Sequence, residues 1–237
     1  MEPQRRLRRR SCGMLIQTHI MTHADLYSMS FDDMVIIKVG PEEKVLTAPR
    51  NVLCQSAFFK AALCGGWAES KDGLTMPEDN VNALASYLHW ACTSQLIIAD
   101  DEPTKDTQPA HFRKLVEVYI LADKVGDIGL QNSVIDQFIA LADRFNVLPD
   151  HRITERLFTA TPENCMLQKL MLNQFTYIFE PTAYRADEVR EQVDFYVKVL
   201  AAMATQRMRG GLHHGIPQEQ QARCYYHIHN EENPPCK

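Results

Sequence analysis

Residues 34 to 39 read Met-Val-Ile-Ile-Lys-Val, β-branched and almost continuously apolar, the pattern of a strand buried over most of its surface. Gly40-Pro41-Glu42-Glu43 is a turn signal and Lys44 to Ala48 a second short strand, so 34–48 predicts a hairpin that Pro49 ends. Asn51 is placed to cap the next helix. Val52, Leu53, Ser56, Phe59, Ala62 and Leu63 recur at helical spacing, which predicts two short helices broken near Ser56 and stopped by Gly65-Gly66. Leu74 to Met76 is expected to be a third strand. Asn80 caps a helix with Val81, Leu84, Ala85, Leu88 and Ala91 on one face. An acidic, proline-containing loop at 99–109 is longer than most connections in compact domains. Phe112, Leu115, Val116, Tyr119, Ala122 and Val125 mark the next helix, and Leu130, Val134, Ile135, Phe138 and Leu141 another, with Gly126-Asp127-Ile128-Gly129 as the tight turn between them.

Leu148-Pro149-Asp150 punctuates the chain. Helices are expected over 151–159 and 163–175, the second opening at Thr161-Pro162-Glu163. A last amphipathic segment runs from Ala186 to Thr205, with Val189, Val193, Tyr196, Val197 and Leu200 on one face. From Gln206 onward Gly, His, Gln and Pro dominate and predict disorder. The resulting division is a disordered basic arm at 1–30, an α+β domain at 31–145, a helical extension at 146–205 and a disordered tail at 206–237.

The 237 residues are 45% hydrophobic and 23% charged, the balance of a globular protein with a sizeable core. A net charge of -5 argues against direct nucleic-acid binding, although Arg5, Arg6, Arg8, Arg9 and Arg10 crowd one end. That cluster reads as a solvated basic arm, with a nuclear import signal or a local nucleic-acid contact as the alternatives. Seven cysteines, odd in number, irregularly spaced and in part set within apolar runs, predict reduced thiols and an intracellular setting, cytoplasmic or nuclear. No run approaches the length of a membrane span. Gln17, Thr18 and His19 interrupt Met14-Leu15-Ile16 too early for a secretion signal.

The order strand, strand, helix pair, strand, helix, loop, helical hairpin supports a comparison. Asp33 to Val39, Arg50 to Phe59, Trp67-Ala68-Glu69-Ser70, Met76-Pro77-Glu78-Asp79 with Tyr87-Leu88-His89-Trp90, and Tyr119 to Lys124 with Leu130-Gln131-Asn132 together resemble the BTB/POZ domain, in the form common in short fungal BTB proteins. The resemblance covers residues 31–143. The pattern departs from many members at Pro49-Arg50, where they carry His-Lys, and at Cys92, where they carry Tyr; the loop at 99–109 is an insertion. The resemblance implies an α+β fold with a small mixed sheet capped by helices, and a function in binding proteins rather than in catalysis.

The resemblance also nominates residues. Asp33 and Arg50 match the charged pocket of some BTB transcription factors, where it faces a co-repressor peptide; an ordinary structural pair is the plainer account. Trp67 and Glu69 match a motif through which cullin-binding adaptors meet their ligase, the apolar residue touching the cullin and the Glu ordering the loop. Phe58 and Phe59 would line a dimer surface, with a core role expected for at least one. The partners so implied are proteins: a second copy, or a cullin. An adaptor for a cullin-type ubiquitin ligase is the leading reading, and a nuclear scaffold or transcriptional regulator the alternative.

Other chemistry is weaker. Cys64-Gly65-Gly66-Trp67 echoes a cysteine-protease nucleophile segment but lacks placed partners, so no catalytic residue is expected. Cys224, His227, His229 and Cys236 are four zinc-type side chains within 224–236, at a spacing that matches no standard finger, and the expectation is an incidental grouping in a disordered tail. No metal and no cofactor is expected.

Overall fold

The computed structural model describes residues 33–64, 73–99, 101–178, 193–208, 223–231 and 233–236. It is a mixed α+β structure built on a three-stranded sheet of order β2-β1-β3. Strands β1 (Met34–Val39) and β2 (Lys44–Pro49) form the expected antiparallel hairpin, with Ile37 opposite Leu46. Strand β3 (Leu74–Met76) joins the other edge of β1 in parallel, with Ile37 opposite Leu74. Alternation decides the faces: Val35, Ile37 and Val39 are buried, and Met34, Ile36 and Lys38 point out.

The helices cover the inner face. Helix α1 (Arg50–Leu53) and helix α2 (Ala57–Cys64) are the broken pair expected around Ser56, whose hydroxyl donates to the Val125 carbonyl at 2.8 Å. Asn51 does not cap them. Strand β2 runs straight into α1, so Pro49 occupies the capping position, with no side-chain cap, and Asn51 lies inside the first turn. Helix α3 (Val81–Thr93) is capped by Asn80, whose side chain accepts from the Asn82 and Ala83 amides. Its buried face holds Ala83, Leu84 and Tyr87, leaving Ala85 exposed, because Tyr87 packs on Phe59 with ring centroids 5.6 Å apart.

Helices α4 (Gln108–Val125) and α5 (Ile128–Phe145) form the hairpin at the centre of the core. All six apolar positions expected on α4 and all five on α5 are buried. Gly126 ends α4 in the left-handed conformation, and Asp127 starts α5. Asp127 serves two elements: Oδ1 accepts from the Leu130 amide at 2.8 Å and Oδ2 from the Trp90 indole at 3.1 Å. Asp127→Ala removes a cap and strands a half-buried donor, and is expected to cost about 2 kcal/mol in a urea titration. Asp127→Asn, which keeps an acceptor in reach, should recover part of it.

Helix α6 (His151–Ala160), capped by Asp150, and helix α7 (Met166–Ile178) come after the boundary at 145–150. They add to the existing core: Ile153, Leu157, Leu167, Leu170 and Met171 belong to the same buried cluster as α4 and α5. Helix α8 (Val193–Met208) buries Tyr196 of the face expected, but is rotated so that Phe195 and Val199 face inward with it. Phe195, Tyr196 and Val199 are buried in a second cluster, where the Phe195 ring lies edge-on to Phe158 and Phe175 at 5.1 and 4.9 Å. Val193, Val197 and Leu200 are exposed. The helix is apolar on several sides, so periodicity leaves its rotation open and the aromatic contacts set it.

The largest difference lies in the C-terminal segment. The segment opens with a 3-10 turn at Arg223–Tyr226 that packs on α5 and α7, Ile228 follows it onto α5, and residues 234–236 are exposed. Tyr226 is buried, and its hydroxyl accepts from the Asn173 amide at 3.0 Å. Asn132 on α5 brackets the Ile228 main chain, donating to its carbonyl at 2.9 Å and accepting from its amide at 2.8 Å. Polar composition hid these anchors because both are hydrogen bonds to residues distant in sequence.

Candidate functional site

The residues nominated in the N-terminal half fall around the sheet. Arg50 donates from Nε to Asp33 Oδ2 at 2.6 Å, and its amide donates to the Asp33 carbonyl at 2.9 Å. Its Nη1 also reaches the Leu63 carbonyl at 3.4 Å, tying the end of α2 to the start of β1. Asp33 is 62% exposed, so the pair contributes roughly 0–1 kcal/mol to stability. Its geometry is that of a clamp between strand and helix, and the outer carboxylate remains accessible.

Phe58 and Phe59 divide as their positions on α2 dictate. Phe59 is fully buried, whereas Phe58 is 37% exposed and meets Phe59 edge-on at 5.1 Å. The Lys124 ammonium lies 5.8 Å from the Phe58 ring centre and pairs with Asp79 at 2.6 Å. Trp67 and Glu69 lie outside the described residues. The structure therefore joins Asp33 to Arg50 and sets Phe58 at the surface of the helix that Arg50 reaches.

Sequence reasoning missed the outer face of the sheet. Met34, Ile36 and Val45 are 43%, 48% and 59% exposed. Ile36 stands opposite Thr47 and Lys38 opposite Val45, so Ile36 and Val45 are diagonal neighbours on one face. The signal was present: a strand with a half-solvated face alternates apolar with polar, and this one keeps Met34 and Ile36 on the outward positions. A separate cleft of about 440 Å³ lies between the 96–103 segment and helices α4 and α5, with the Arg144–Glu102 pair at 2.9 Å beside it.

The C-terminal segment brings together four side chains that the sequence left incidental. Cys224 Sγ lies 3.1 Å from His229 Nε2, and His227 Nδ1 lies 3.1 Å from Cys236 Sγ. The Cys224, His229 and Cys236 ligand atoms all lie within 4.8 Å of one another. The two thiols are inequivalent. The Cys236 backbone amide, the Cys236 side chain and His229 all hydrogen-bond to Cys224 and hold its thiol below the ordinary range, against a smaller opposing effect of burial. Burial and the neighbouring Cys224 push the Cys236 thiol up. Behind the ring, His227 Nε2 faces Asp136 Oδ1 on α5 at 3.3 Å. The His227 and His229 ring centres lie 6.1 Å apart.

Among the described residues, no helix is long and apolar enough to cross a membrane. Compared with known proteins, the chain matches no protein-family model and no curated protein.

Proposed function

We propose that residues 31–145 act as a protein–protein interaction module of the BTB/POZ type. What supports the reading is the order of elements: a hairpin, a broken helix pair, a third strand, a helix and a helical hairpin, as the resemblance implies. The observation that carries it is the outer sheet face, where Met34, Ile36 and Val45 expose apolar surface on adjacent strands. Neighbouring apolar side chains left on an outer sheet face are the kind of surface that a partner protein can cover. A second copy of the chain is the partner the resemblance favours.

The finer reading, an adaptor for a cullin-type ubiquitin ligase, rests on the Trp67-Ala68-Glu69 motif and the resemblance alone. Sedimentation velocity on the full chain over a concentration series tests the broader reading. Wild type is expected to self-associate, and Ile36→Glu/Val45→Glu to weaken association by about 2 kcal/mol, roughly 30-fold, with unchanged helicity. A double variant that associates as wild type does would remove the sheet face from the account.

A further inference from the structure

We propose that Cys224, His227, His229 and Cys236 form a zinc site that closes the C-terminal segment on itself, beside helices α5 and α7. Zinc bonds of about 2.0–2.3 Å require donors clustered within a few ångströms, and three of these ligand atoms already meet that condition. The fourth, His227 Nδ1, joins through its 3.1 Å contact with Cys236 Sγ. Two thiols with two imidazoles are a donor set that selects zinc over the harder divalent ions. Four protein ligands leave no position for a substrate, so the site is structural.

The surroundings fit a metal better than a chance grouping. A ligating histidine ordinarily turns its remaining nitrogen to a carboxylate, which fixes ring orientation and raises ligand basicity. Asp136 stands behind His227, with Oδ1 3.3 Å from Nε2, close enough for that bond after a small turn of the ring. Without a metal, Cys224 Sγ faces His229 Nε2 and Cys236 Sγ faces His227 Nδ1, and sulfur is a weak donor and a weak acceptor. The scaffold holding the ligands is independent of them. Asn132 fixes Ile228, Asn173 holds Tyr226, and the Lys169 ammonium sits 4.4 Å from the Tyr225 ring centre. The ligands from Cys224 to His229 are thus carried on a main chain already pinned to α5 and α7.

The competing chemistry is a disulfide, since Cys224 and Cys236 are close enough to meet after a small movement. The test is elemental analysis of the full chain purified with reductant and without added metal, followed by titration of the stripped protein with Co²⁺. The expected results are stoichiometric zinc, and a Co²⁺ spectrum with thiolate charge-transfer and tetrahedral ligand-field bands. Cys224→Ser and Cys236→Ser should each abolish both, with helicity retained by circular dichroism. Asp136→Asn, which touches no metal, should keep the stoichiometry and weaken affinity by about 10–100-fold. Protein without zinc and without those Co²⁺ bands overturns the proposal. So does a Cys224–Cys236 disulfide in the native protein, or zinc bound equally by the serine variants.

Discussion

Phe138→Ala is expected to lower the stability of the fold by about 3–5 kcal/mol, the largest effect expected of any single substitution named for this chain. Phe138 and Phe112 are both fully buried, and their rings meet at 4.8 Å between centroids and 60° between planes. They join α5 to α4 in the hairpin on which α3, α6 and the C-terminal segment all pack. Truncation would remove the transfer energy of the ring and leave a cavity that the two helices cannot close without disturbing those neighbours. A domain of ordinary stability holds only about 5–15 kcal/mol in total, so the variant should unfold at much lower urea concentration. Phe138→Leu keeps most of the volume and is expected to cost under about 1.5 kcal/mol. A Phe138→Ala midpoint close to wild type would mean that the α4–α5 hairpin is not the centre of the core.

Gly73→Ala is expected to cost about 3 kcal/mol, although it adds a single methyl group. Gly73 has φ +102°, a conformation that residues with a side chain rarely adopt. Its added Cβ would lie 2.4 Å from the Ile36 carbonyl oxygen, which is backbone and cannot swing aside. The cause is the parallel approach of β3 to β1: Leu74 pairs with Ile37, so the preceding residue faces the β1 main chain. Replacing glycine with alanine also stiffens the unfolded chain, a gain of about 0.4–1 kcal/mol that the clash outweighs. Gly126→Ala provides the comparison. Gly126 also has positive φ, +72°, but nothing lies within 4 Å of its added Cβ, so only backbone strain of about 1–2 kcal/mol is expected. Equal midpoints for the two variants would contradict the close approach.

The sequence was readable where one physical signal dominated. On α4 and α5 every apolar position that the periodicity marked, from Phe112 to Leu141, is buried, but Val118 and Leu121 on α4 are buried as well, because α4 is packed by helices on more than one side. Asn80 was recognisable as a cap because a short polar side chain preceded an apolar run. On α8 the apolar residues surround the helix, and the inward face was set by Phe158 and Phe175, far away in sequence. Asn51 failed as a cap because the chain passes from strand to helix without a loop, a feature local propensity does not encode. Residues 223–229, expected within a disordered tail, are seated on the helices for a related reason. Their composition is polar, and their order comes from the long-range anchors at Asn132 and Asn173, so composition described the segment's solubility and not its contacts. Of the nominated binding residues, Asp33 and Arg50 were named by the resemblance and the structure pairs them, whereas the outer sheet face required knowledge of which side the helices cover.

The central claim, that this is a module for binding proteins, is tested most directly by quantitative mass spectrometry of complexes crosslinked in cells and captured on the tagged full chain. Wild type, Ile36→Glu/Val45→Glu and Trp67→Ala/Glu69→Ala would be compared at equal abundance. The account expects wild type to recover untagged copies of itself or a cullin as a stoichiometric partner, and at least one variant to lose that partner while remaining folded. The same background set of proteins recovered by all three, with neither a second copy nor a cullin above it, would contradict the claim.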